Sequence, residues 1–437
     1  MADLLSLSAK VVDSGVADGP VNRTTGELSE VADGLCMVES FSHTVAWDSD
    51  DGLVCFDASH YNTGAPIVAE LQKWRPGRIN SLVYTHGHID HVGGSGAFVA
   101  HNAQNGHAPL RVIGHENVQR RFDRYRSTEP WNILINARQF GGVRDDLGMT
   151  NDLRPAGGGK RLPFFLPPDT ADVSDVVGDF STYTIGDDVI EFHHGKGETD
   201  DHLWSWFPNK KWVATGDFVI WNFPNAGNPQ KVQRWPIEWA QTLRKIIAKE
   251  PELLLPAHGL PIAGKERIAR VLNEIATALE NLVRDVVAMM NNGATLDEII
   301  HTVRVPADTL ALPYLRPLYD EPEFVVRGVW RQFGGWWDGA PSRLKPARDA
   351  DVGAEIARLS GGADVVARRA KELAESGDLR LACHLADFAG WAEPNNPEVH
   401  AIRAAVYEIR RKHETSLMAK GIYKGAARES ESIADKA

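Results

Sequence analysis

Short apolar runs separated by polar and glycine-rich turns recur through the part of the chain before Lys265. Runs of this length, bounded by turn residues, predict strands that alternate with helices. One helix is predicted near residues 66–74 and a short one near Glu116. Residues 145–175 are rich in Pro, Gly and Asp and predict a long loop. The predicted strands cover residues 35–38, 44–47, 52–57, 81–84, 111–114, 189–192, 204–207 and 212–215.

From Lys265 onward the apolar period changes to three- and four-residue steps, which predicts a largely helical region. The first long helix carries one apolar stripe and ends at residues 291–293. Two later helices flank the turn at residues 394–397 and resemble one tetratricopeptide-type hairpin. A single hairpin cannot bury its own face, so it should pack on neighbouring helices or on a second subunit. The stripe consists of Ile268, Val271, Leu272, Ile275, Leu279, Leu282, Val283 and Val286.

Composition narrows the class of protein. A chain of 437 residues favours two domains, which we place at residues 1–264 and 265–437. The net charge of -12 argues against a broad nucleic-acid-binding surface. The three cysteines lack metal-ligand spacing, and Cys36 and Cys55 lie in apolar runs, which predicts buried thiols. No segment has the features of a secretory signal or a membrane span. We therefore expect a cytoplasmic protein, or a periplasmic one if a leader has been removed.

The segment Thr85–His91 carries the densest chemistry in the sequence. It places three histidines and an aspartate directly after a predicted strand. His86 and His88 are two residues apart, so in an extended turn they point the same way and can hold one metal ion. Asp90 and His91 lie further round the turn and can reach a second ion. Imidazole nitrogens with carboxylate oxygens suit zinc, and less exclusively iron, manganese or cobalt.

Two ions need more than four ligands, and three later segments offer candidates at or near the ends of apolar strands. Residues 197–202 contain Glu198 and His202, and either could be a ligand. Asp217 follows the predicted strand at 212–215, and a carboxylate there could bridge both ions. His258 follows a run of leucines. Each candidate is weak alone, and its weight comes from the shared context with the histidine motif.

The order of these motifs resembles that of metallo-β-lactamase-fold hydrolases, which implies a four-layered αββα sandwich of the α/β class. That superfamily usually has histidine where this chain has Glu198, and the glutamate resembles the alkyl sulfatase branch. Those alkyl sulfatases carry glutamate rather than aspartate at the bridging position, so Asp217 departs from them. The resemblance implies that His86, His88 and Glu198 hold the first ion, that Asp90, His91 and His258 hold the second, and that Asp217 bridges them. His202 is the alternative to Glu198.

The C-terminal half resembles the all-α alkyl sulfatase dimerisation domain. The segments that carry this resemblance are residues 319–327, 333–339, 381–386 and 414–423. It implies a homodimer formed through this helical region. The aromatic stretch from Trp330 to Trp337 is most simply read as core or dimer-interface anchors, and the alternative is a lining of the substrate channel.

By this resemblance, the chain would be a hydrolase with two zinc ions per chain that activate water to cleave alkyl sulfate esters. Asp90 and Asp217 would be the catalytic carboxylates, and Asp57 or Asp200 would orient ligand histidines. The family's sulfate-binding arginine, in a Leu-Arg-Gly setting, has no counterpart at the matching position. The remaining candidates for binding a small anionic substrate are Asn136, Arg138 and Arg234.

Two other functions stay open from the sequence. The same metal site could act on a lactone, a phosphoester or a β-lactam, and convergence of Arg138 and Arg234 on the metals would favour an anionic substrate. Alternatively, the fold could carry out iron-dependent redox chemistry. The diiron members that do so need a flavin partner domain, which this sequence does not show.

Overall fold

The computed structural model describes residues 3–140 and 164–435. Of the long loop predicted at 145–175, residues 145–163 therefore lie outside the described residues. Residues 164–174 form turns and irregular backbone, as predicted for this part. Each strand predicted from the sequence is present, with bounds that differ by two residues or fewer.

The strands of the described residues form two sheets. The first sheet has the order β1-β2-β3-β4-β5-β6-β7, antiparallel from β1 to β4 and parallel from β4 to β7. The second has the order β13-β12-β11-β10-β9-β8, in which only β11 and β12 run parallel. The strands are β1 (Leu28–Ala32), β2 (Leu35–Val38), β3 (Thr44–Ser49), β4 (Gly52–Phe56), β5 (Ile79–Val83), β6 (Arg111–His115), β7 (Asp175–Val177), β8 (Phe180–Ile185), β9 (Asp188–His194), β10 (Leu203–Phe207), β11 (Trp212–Gly216), β12 (Leu253–Pro256) and β13 (Ile262–Ala263).

Helices are interspersed with the strands up to residue 263 and follow one another after it. A short 3₁₀ helix, Pro341–Arg343, lies among the later ones. The α-helices are α1 (Leu4–Ser14), α2 (Gly64–Trp74), α3 (Ile89–Val92), α4 (Ser95–Gln104), α5 (Asn117–Ser127), α6 (Glu129–Phe140), α7 (Pro236–Ala248), α8 (Lys265–Asn291), α9 (Leu296–Thr302), α10 (Ala307–Ala311), α11 (Pro322–Gly334), α12 (Asp349–Ser360), α13 (Ala363–Glu375), α14 (Leu379–Ala392), α15 (Pro397–Lys412) and α16 (Leu417–Ala434).

Successive side chains along each strand point to opposite faces of the sheet, which explains how one sheet packs against both the second sheet and the helices. In β4, Val54 and Phe56 face the core between the sheets, and Phe56 meets Phe207 of β10 edge to face with ring centroids 5.8 Å apart. Leu53 and Cys55 point the other way and pack with α2, α4 and α5. Since successive strand side chains point to opposite faces, a strand buried on both sides reads as continuously apolar. With α7 and α8 packed into the core of the second sheet, the predicted αββα sandwich is confirmed.

Two compact units divide the chain. Among the described residues, the first contains 3–133 and 164–335, and the second contains 134–140 and 336–435. The change in sequence pattern predicts a domain boundary at residue 264, whereas this division falls after Gly335. The reason is α8, whose predicted apolar stripe is buried in the same core as the second sheet. The periodicity of a stripe predicts a buried face but does not say which core that face joins.

The second unit is built from helices with two small apolar cores. Helices α14 and α15 form the predicted hairpin around the turn at 394–397, and Asn396 caps α15 by accepting from the N–H groups of Glu398 and Val399. As expected, the hairpin packs on neighbouring helices, α13 and α16. In the described ranges 3–140 and 164–435, no helix combines the length and apolar character needed to cross a membrane.

The aromatic stretch near the unit boundary is less buried than a core position requires. Trp330 is half-buried against the first unit's core, but Phe333 and Trp336 are 53% and 69% exposed. Of the two roles in that prediction, core anchor or dimer-interface anchor, the core role does not fit Phe333 and Trp336. A role in a dimer interface or a substrate channel stays a prediction.

Candidate metal centre

The predicted ligands meet where several strands end at one edge of the sandwich. His86 and His88 follow β5, and Asp90 and His91 lie on the short helix α3. Asp217 directly follows β11, and His258 comes two residues after β12. The ligand atoms form two groups, His86, His88 and Asp217 in one and Asp90, His91 and His258 in the other, and within each group they lie no more than 4.8 Å apart.

Asp217 lies between the two groups. Its Oδ1 is 3.4 Å from both His91 Nε2 and His258 Nε2, and its Oδ2 is 3.8 Å from His86 Nε2. Asp90 Oδ2 lies 3.5 Å from the same two nitrogens of His91 and His258. One carboxylate that faces both groups is the arrangement expected of a bridging ligand.

In the second group, which comprises Asp90, His91 and His258, other polar atoms orient both rings. His91 Nδ1 is 2.7 Å from Asp57 Oδ2, and Asp57 also accepts from the N–H and hydroxyl of Thr85, at 2.8 Å each. His258 Nδ1 donates to the carbonyl of Phe41 at 2.5 Å. Both rings therefore turn Nε2 toward the carboxylates of Asp90 and Asp217. A hydrogen bond at one ring nitrogen selects the tautomer that leaves the other nitrogen free to bind a metal.

In the first group, which comprises His86, His88 and Asp217, the side chains contact each other. His86 Nε2 is 2.9 Å from His88 Nδ1, so two nitrogens that could bind a metal share a hydrogen bond. Glu198 Oε1 is 3.5 Å from His88 Nδ1. The same oxygen accepts from Arg234 Nη1 at 2.6 Å and from the Asn225 amide. Glu198 thus lies beside the first group but is held by a cation and an amide.

His202, the alternative to Glu198, is placed differently. Its Nε2 accepts the N–H of Asp217 at 3.2 Å, and its ring stacks on Phe218 with centroids 4.1 Å apart. Gly216 makes this possible, since its φ is +51° and a Cβ there would lie 2.5 Å from His202 Nε2. The ring therefore supports the turn that carries Asp217, and it also lies beside His86, with ring centroids 4.7 Å apart, whereas Glu198 lies next to His88. Which of these two residues is a ligand stays a prediction.

A buried arginine that no sequence motif indicated holds the loop of Glu198 in place. Arg121, on α5, binds Asp201 through two nitrogens at 2.8 and 3.0 Å and pairs with Asp200 at 2.5 Å. Asp201 Oδ2 also accepts the N–H of Gly87 at 3.0 Å, which ties this loop to the histidine turn. Of the two carboxylates expected to orient a candidate ligand histidine, Asp57 or Asp200, the structure places Asp57 against His91, whereas the Asp200 carboxylate pairs with Arg121.

The electrostatics of the site favour a bound cation. Burial opposes protonation of His91, but the carboxylates of Asp217, Asp57 and Asp90 outweigh it and hold its pKa well above the usual range. Burial raises the pKa of Glu198 to about 7 even though Arg234 acts in the opposite direction. Buried carboxylates are costly unless they are paired with positive charge.

Two buried atoms provide a direct test of fit. Within residues 3–140 and 164–435, neither His91 Nε2 nor Asp217 Oδ1 has a hydrogen-bond partner, although both are inaccessible to solvent. Buried polar atoms without partners are rare, and an ion bound between them would satisfy both. The donor set of imidazole nitrogens and carboxylate oxygens therefore fits a divalent metal of the zinc type.

The predicted substrate-binding residues fall in both units. Arg234 is buried beside Glu198, and its Nε has no hydrogen-bond partner in the described part of the chain. Asn136 and Arg138 lie on α6 and belong to the second unit. There, the backbone of Arg138 and Gln139 comes so close to Gly421 of α16 that a Cβ at Gly421 would clash with it. A role for Asn136 and Arg138 in substrate binding stays a prediction.

Comparison with protein families identifies both parts of the chain. Residues 44–258 match the metallo-β-lactamase superfamily, and residues 295–432 match the alkyl sulfatase dimerisation domain. A linear primary-alkylsulfatase from Pseudomonas sp. is 26% identical over 350 residues, which cover 78% of this chain and 65% of that protein. An (R)-specific secondary-alkylsulfatase from Pseudomonas sp. is 24% identical over 378 residues, 83% of this chain and 56% of that protein.

A solved structure shows the same fold. The stereoselective inverting sec-alkylsulfatase Pisa1 from Pseudomonas sp. superposes with a TM-score of 0.80 at 21% identity, over 93% of this chain and 66% of that one. The chain thus spans less than two thirds of the length of these sequence relatives. From the two family matches, we conclude that the chain combines a domain of the metallo-β-lactamase superfamily with an alkyl sulfatase dimerisation domain, and the curated relatives similar to it are alkylsulfatases.

Proposed function

We propose that the chain is a dinuclear zinc hydrolase that cleaves alkyl sulfate esters. The observation that carries this proposal is the position of Asp217 between two groups of buried ligands. The relatives add the substrate class, because the curated proteins similar to this chain are named alkylsulfatases. Zinc is favoured over calcium or magnesium because histidine supplies four of the candidate ligands.

The chain's own residues prepare the site for this chemistry. Two zinc ions would supply Lewis acidity, which makes water nucleophilic near neutral pH and stabilises charge on the ester oxygens. Asp57 and the Phe41 carbonyl keep the Nε2 atoms of His91 and His258 directed at the centre. Asp217, with a pKa held low by His91 and His258 against the effect of burial, stays ionised and offers one oxygen to each group.

Recognition of the sulfate group needs donors matched to a tetrahedral anion, and Arg234 supports this part of the proposal. It is 4% exposed, its Nη1 holds Glu198, and its Nε remains without a partner among the described residues. A guanidinium with an unused donor next to a metal site can bind an anionic oxygen. The same feature favours a phosphoester over a lactone or a β-lactam as the second candidate substrate.

We also propose that the protein is a homodimer formed through the second unit. That unit exposes large apolar side chains, and its helices match a family named for dimerisation. A second chain that covered such side chains would remove their apolar surface from water. The side chains concerned include Trp336, Leu344, Leu359 and Leu381, exposed by 69%, 52%, 70% and 46%. Light scattering should give the mass of two chains, and the mass of one chain would contradict this assignment.

Two measurements test the proposed activity. Metal analysis of the purified protein should give about two zinc ions per chain, whereas one iron per chain would overturn the proposal. A substrate panel should then compare short and long alkyl sulfates with phosphoesters, lactones and a β-lactam. We expect turnover of alkyl sulfates to exceed that of the neutral esters. His88→Ala and Asp90→Ala should abolish turnover, while the circular dichroism of the helical region is retained.

A further inference from the structure

Residues 40–44, which comprise most of the loop between β2 and β3 and the first residue of β3, contact each chain segment that supports the second ligand group. The Phe41 carbonyl accepts from His258 Nδ1, and Ser42 Oγ lies 3.1 Å from His91 Nδ1. Thr44 Oγ1 donates to the backbone carbonyl of Asp57 at 2.9 Å. Five consecutive residues thus connect three segments that are distant in the sequence.

His43 is the residue in this loop that fixes the turn of His258. Its N–H donates to the carbonyl of Ala257 at 2.7 Å, and its Nε2 donates to the carbonyl of Gly259 at 2.8 Å. Its Nδ1 accepts the N–H of Ser40 at 3.1 Å, which closes the loop on itself. Burial and the neighbouring His258 keep the ring neutral by lowering its pKa to about 3, as this bonding pattern requires. The backbone on both sides of His258 is therefore held by one side chain and its own N–H.

These bonds support one half of the site. In the described part of the chain, no hydrogen bond of residues 40–44 reaches His86, His88 or Glu198. A further bond ties the loop to this half of the site, because Ser40 Oγ accepts from Ser59 Oγ at 2.8 Å and Ser59 lies two residues after Asp57. A change in this loop should therefore alter one metal position and spare the other.

We infer that His43 is a positioning residue for the metal position formed by Asp90, His91 and His258, acting through the backbone of the turn at 257–259. The inference rests on the two-ion site proposed above. Residues that orient metal ligands without touching the metal typically change metal affinity by about 10- to 100-fold when replaced. His43 acts through the backbone, so we expect a value near the lower end.

Stepwise binding of zinc to the metal-free full-length protein tests this inference, measured by competition with a chromophoric chelator. His43→Asn keeps a polar side chain that is too short to span from the Ser40 N–H to the Gly259 carbonyl. It should raise the dissociation constant of one zinc ion about tenfold and leave the other unchanged. His43→Gln, which can donate and accept over a longer reach, should recover most of the lost affinity.

A matched control is His400→Asn, which changes another buried histidine, in the second unit, whose Nδ1 contacts Ser430 Oγ. It should bind both ions like the wild type. Should His43→Asn fail to fold, the isosteric Thr44→Val removes the bond to the Asp57 carbonyl and is expected to lower the affinity for the same ion about threefold.

The possible outcomes separate the two proposals. If folded variants bind both ions like the wild type, or lose affinity for both ions equally, the role of His43 is overturned and the two-ion site stands. If the wild type itself binds a single ion, the two-ion site fails and the inference about His43 fails with it. Selective weakening of one ion, with rescue by Gln, supports the inference.

Discussion

The two halves of the candidate metal centre differ in how their ligands are held. In the second group, His91 and His258 each have one nitrogen fixed, by Asp57 and by the Phe41 carbonyl, so the ligand nitrogens already face the centre. In the first group, His86 and His88 bond to each other. Its neighbour Glu198 is bound by Arg234.

This difference predicts unequal affinity for the two ions. A preorganised ligand set loses little freedom on binding, whereas a set whose members satisfy each other must first exchange those bonds. The second group should therefore bind its ion more tightly than the first. This comparison can be tested by replacing three kinds of residue. These are the ligand shared by both groups, a residue that supports the second group, and residues that lie beside the first group.

The largest effect is expected for Asp217, the ligand common to both groups. Asp217→Asn keeps the shape of the side chain but removes the charge that faces His86, His91 and His258. Turnover should fall by on the order of 10³-fold, the size reported for losing one strong electrostatic contact in an active site. Metal analysis should show fewer than two ions per chain. A variant that retains both ions and its activity would show that the two groups do not share this ligand.

A smaller and one-sided effect is expected for Asp57, which contacts only the second group. Asp57→Asn weakens the bond that orients His91, so affinity for one ion should fall by about 10- to 100-fold. Stepwise zinc titration measures it. The control is Asp200→Asn, because Asp200 pairs with Arg121 and Asp201 retains that arginine. Equal losses in the two variants would mean that Asp57 acts only on general stability.

Substrate binding beside the first ligand group should respond to changes in Arg234. Arg234→Gln removes a cation beside Glu198, and a hydrogen bond between charged groups is worth about 1.5–3 kcal/mol. We expect KM for an alkyl sulfate to rise about tenfold or more, with a smaller change in kcat and no loss of the ion bound by the second group. A neutral ester should show no such change in KM. Arg234→Lys is the control, because lysine keeps the positive charge but lacks the planar, multiple-donor geometry of the guanidinium. An unchanged KM for the sulfate in Arg234→Gln would remove Arg234 from substrate binding.

Sequence patterns could predict this site as far as it depends on strand ends. The motif from His86 to His91 is local, and Asp217 and His258 could be placed because they follow apolar strands. The supporting contacts could not be predicted in the same way. Phe41 contributes a backbone carbonyl, which leaves no trace in the residue type, and Arg121 reaches Asp201 across 80 positions.

The fold shows the same limit. Short apolar runs predicted the strands, and apolar residues at three- and four-residue steps predicted the helix α8, because both signals are local in the sequence. The assignment of α8 to the first unit depends on which surface its stripe meets, and the stripe itself carries no such information. Exposure of Trp336 was also not predictable, because an aromatic side chain serves equally well in a core or in an interface.

The smallest effect is expected from a change at Asp320, a buried residue that hydrogen-bonds to the loop beside the first ligand group. Asp320 is fully buried and accepts hydrogen bonds from the N–H groups of Gly227 and Glu321 at 2.6 and 2.8 Å. Gly227 belongs to the same loop as Asn225, whose amide donates to Glu198. Burial raises its pKa to about 7, against the effect of these two bonds. The folded protein therefore binds this proton more tightly than the unfolded chain, in which the carboxyl has its usual pKa near 4.

The sign of the pH dependence follows from this difference. Between about pH 4 and 7 the folded state holds a proton that the unfolded state has lost, so stability should fall as pH rises, by at most about 1.4 kcal/mol per pH unit. Asp320→Asn should remove this contribution to the pH dependence of the free energy of unfolding. It should also lower the free energy of unfolding at every pH by about 1 kcal/mol, because one hydrogen bond is lost. Urea unfolding of the metal-loaded protein at several pH values measures both. If the free energy of unfolding changed equally with pH in the wild type and the variant, Asp320 would be ionised in the folded protein. The loop beside the first ligand group would then be supported by a charged carboxylate instead of a neutral acid.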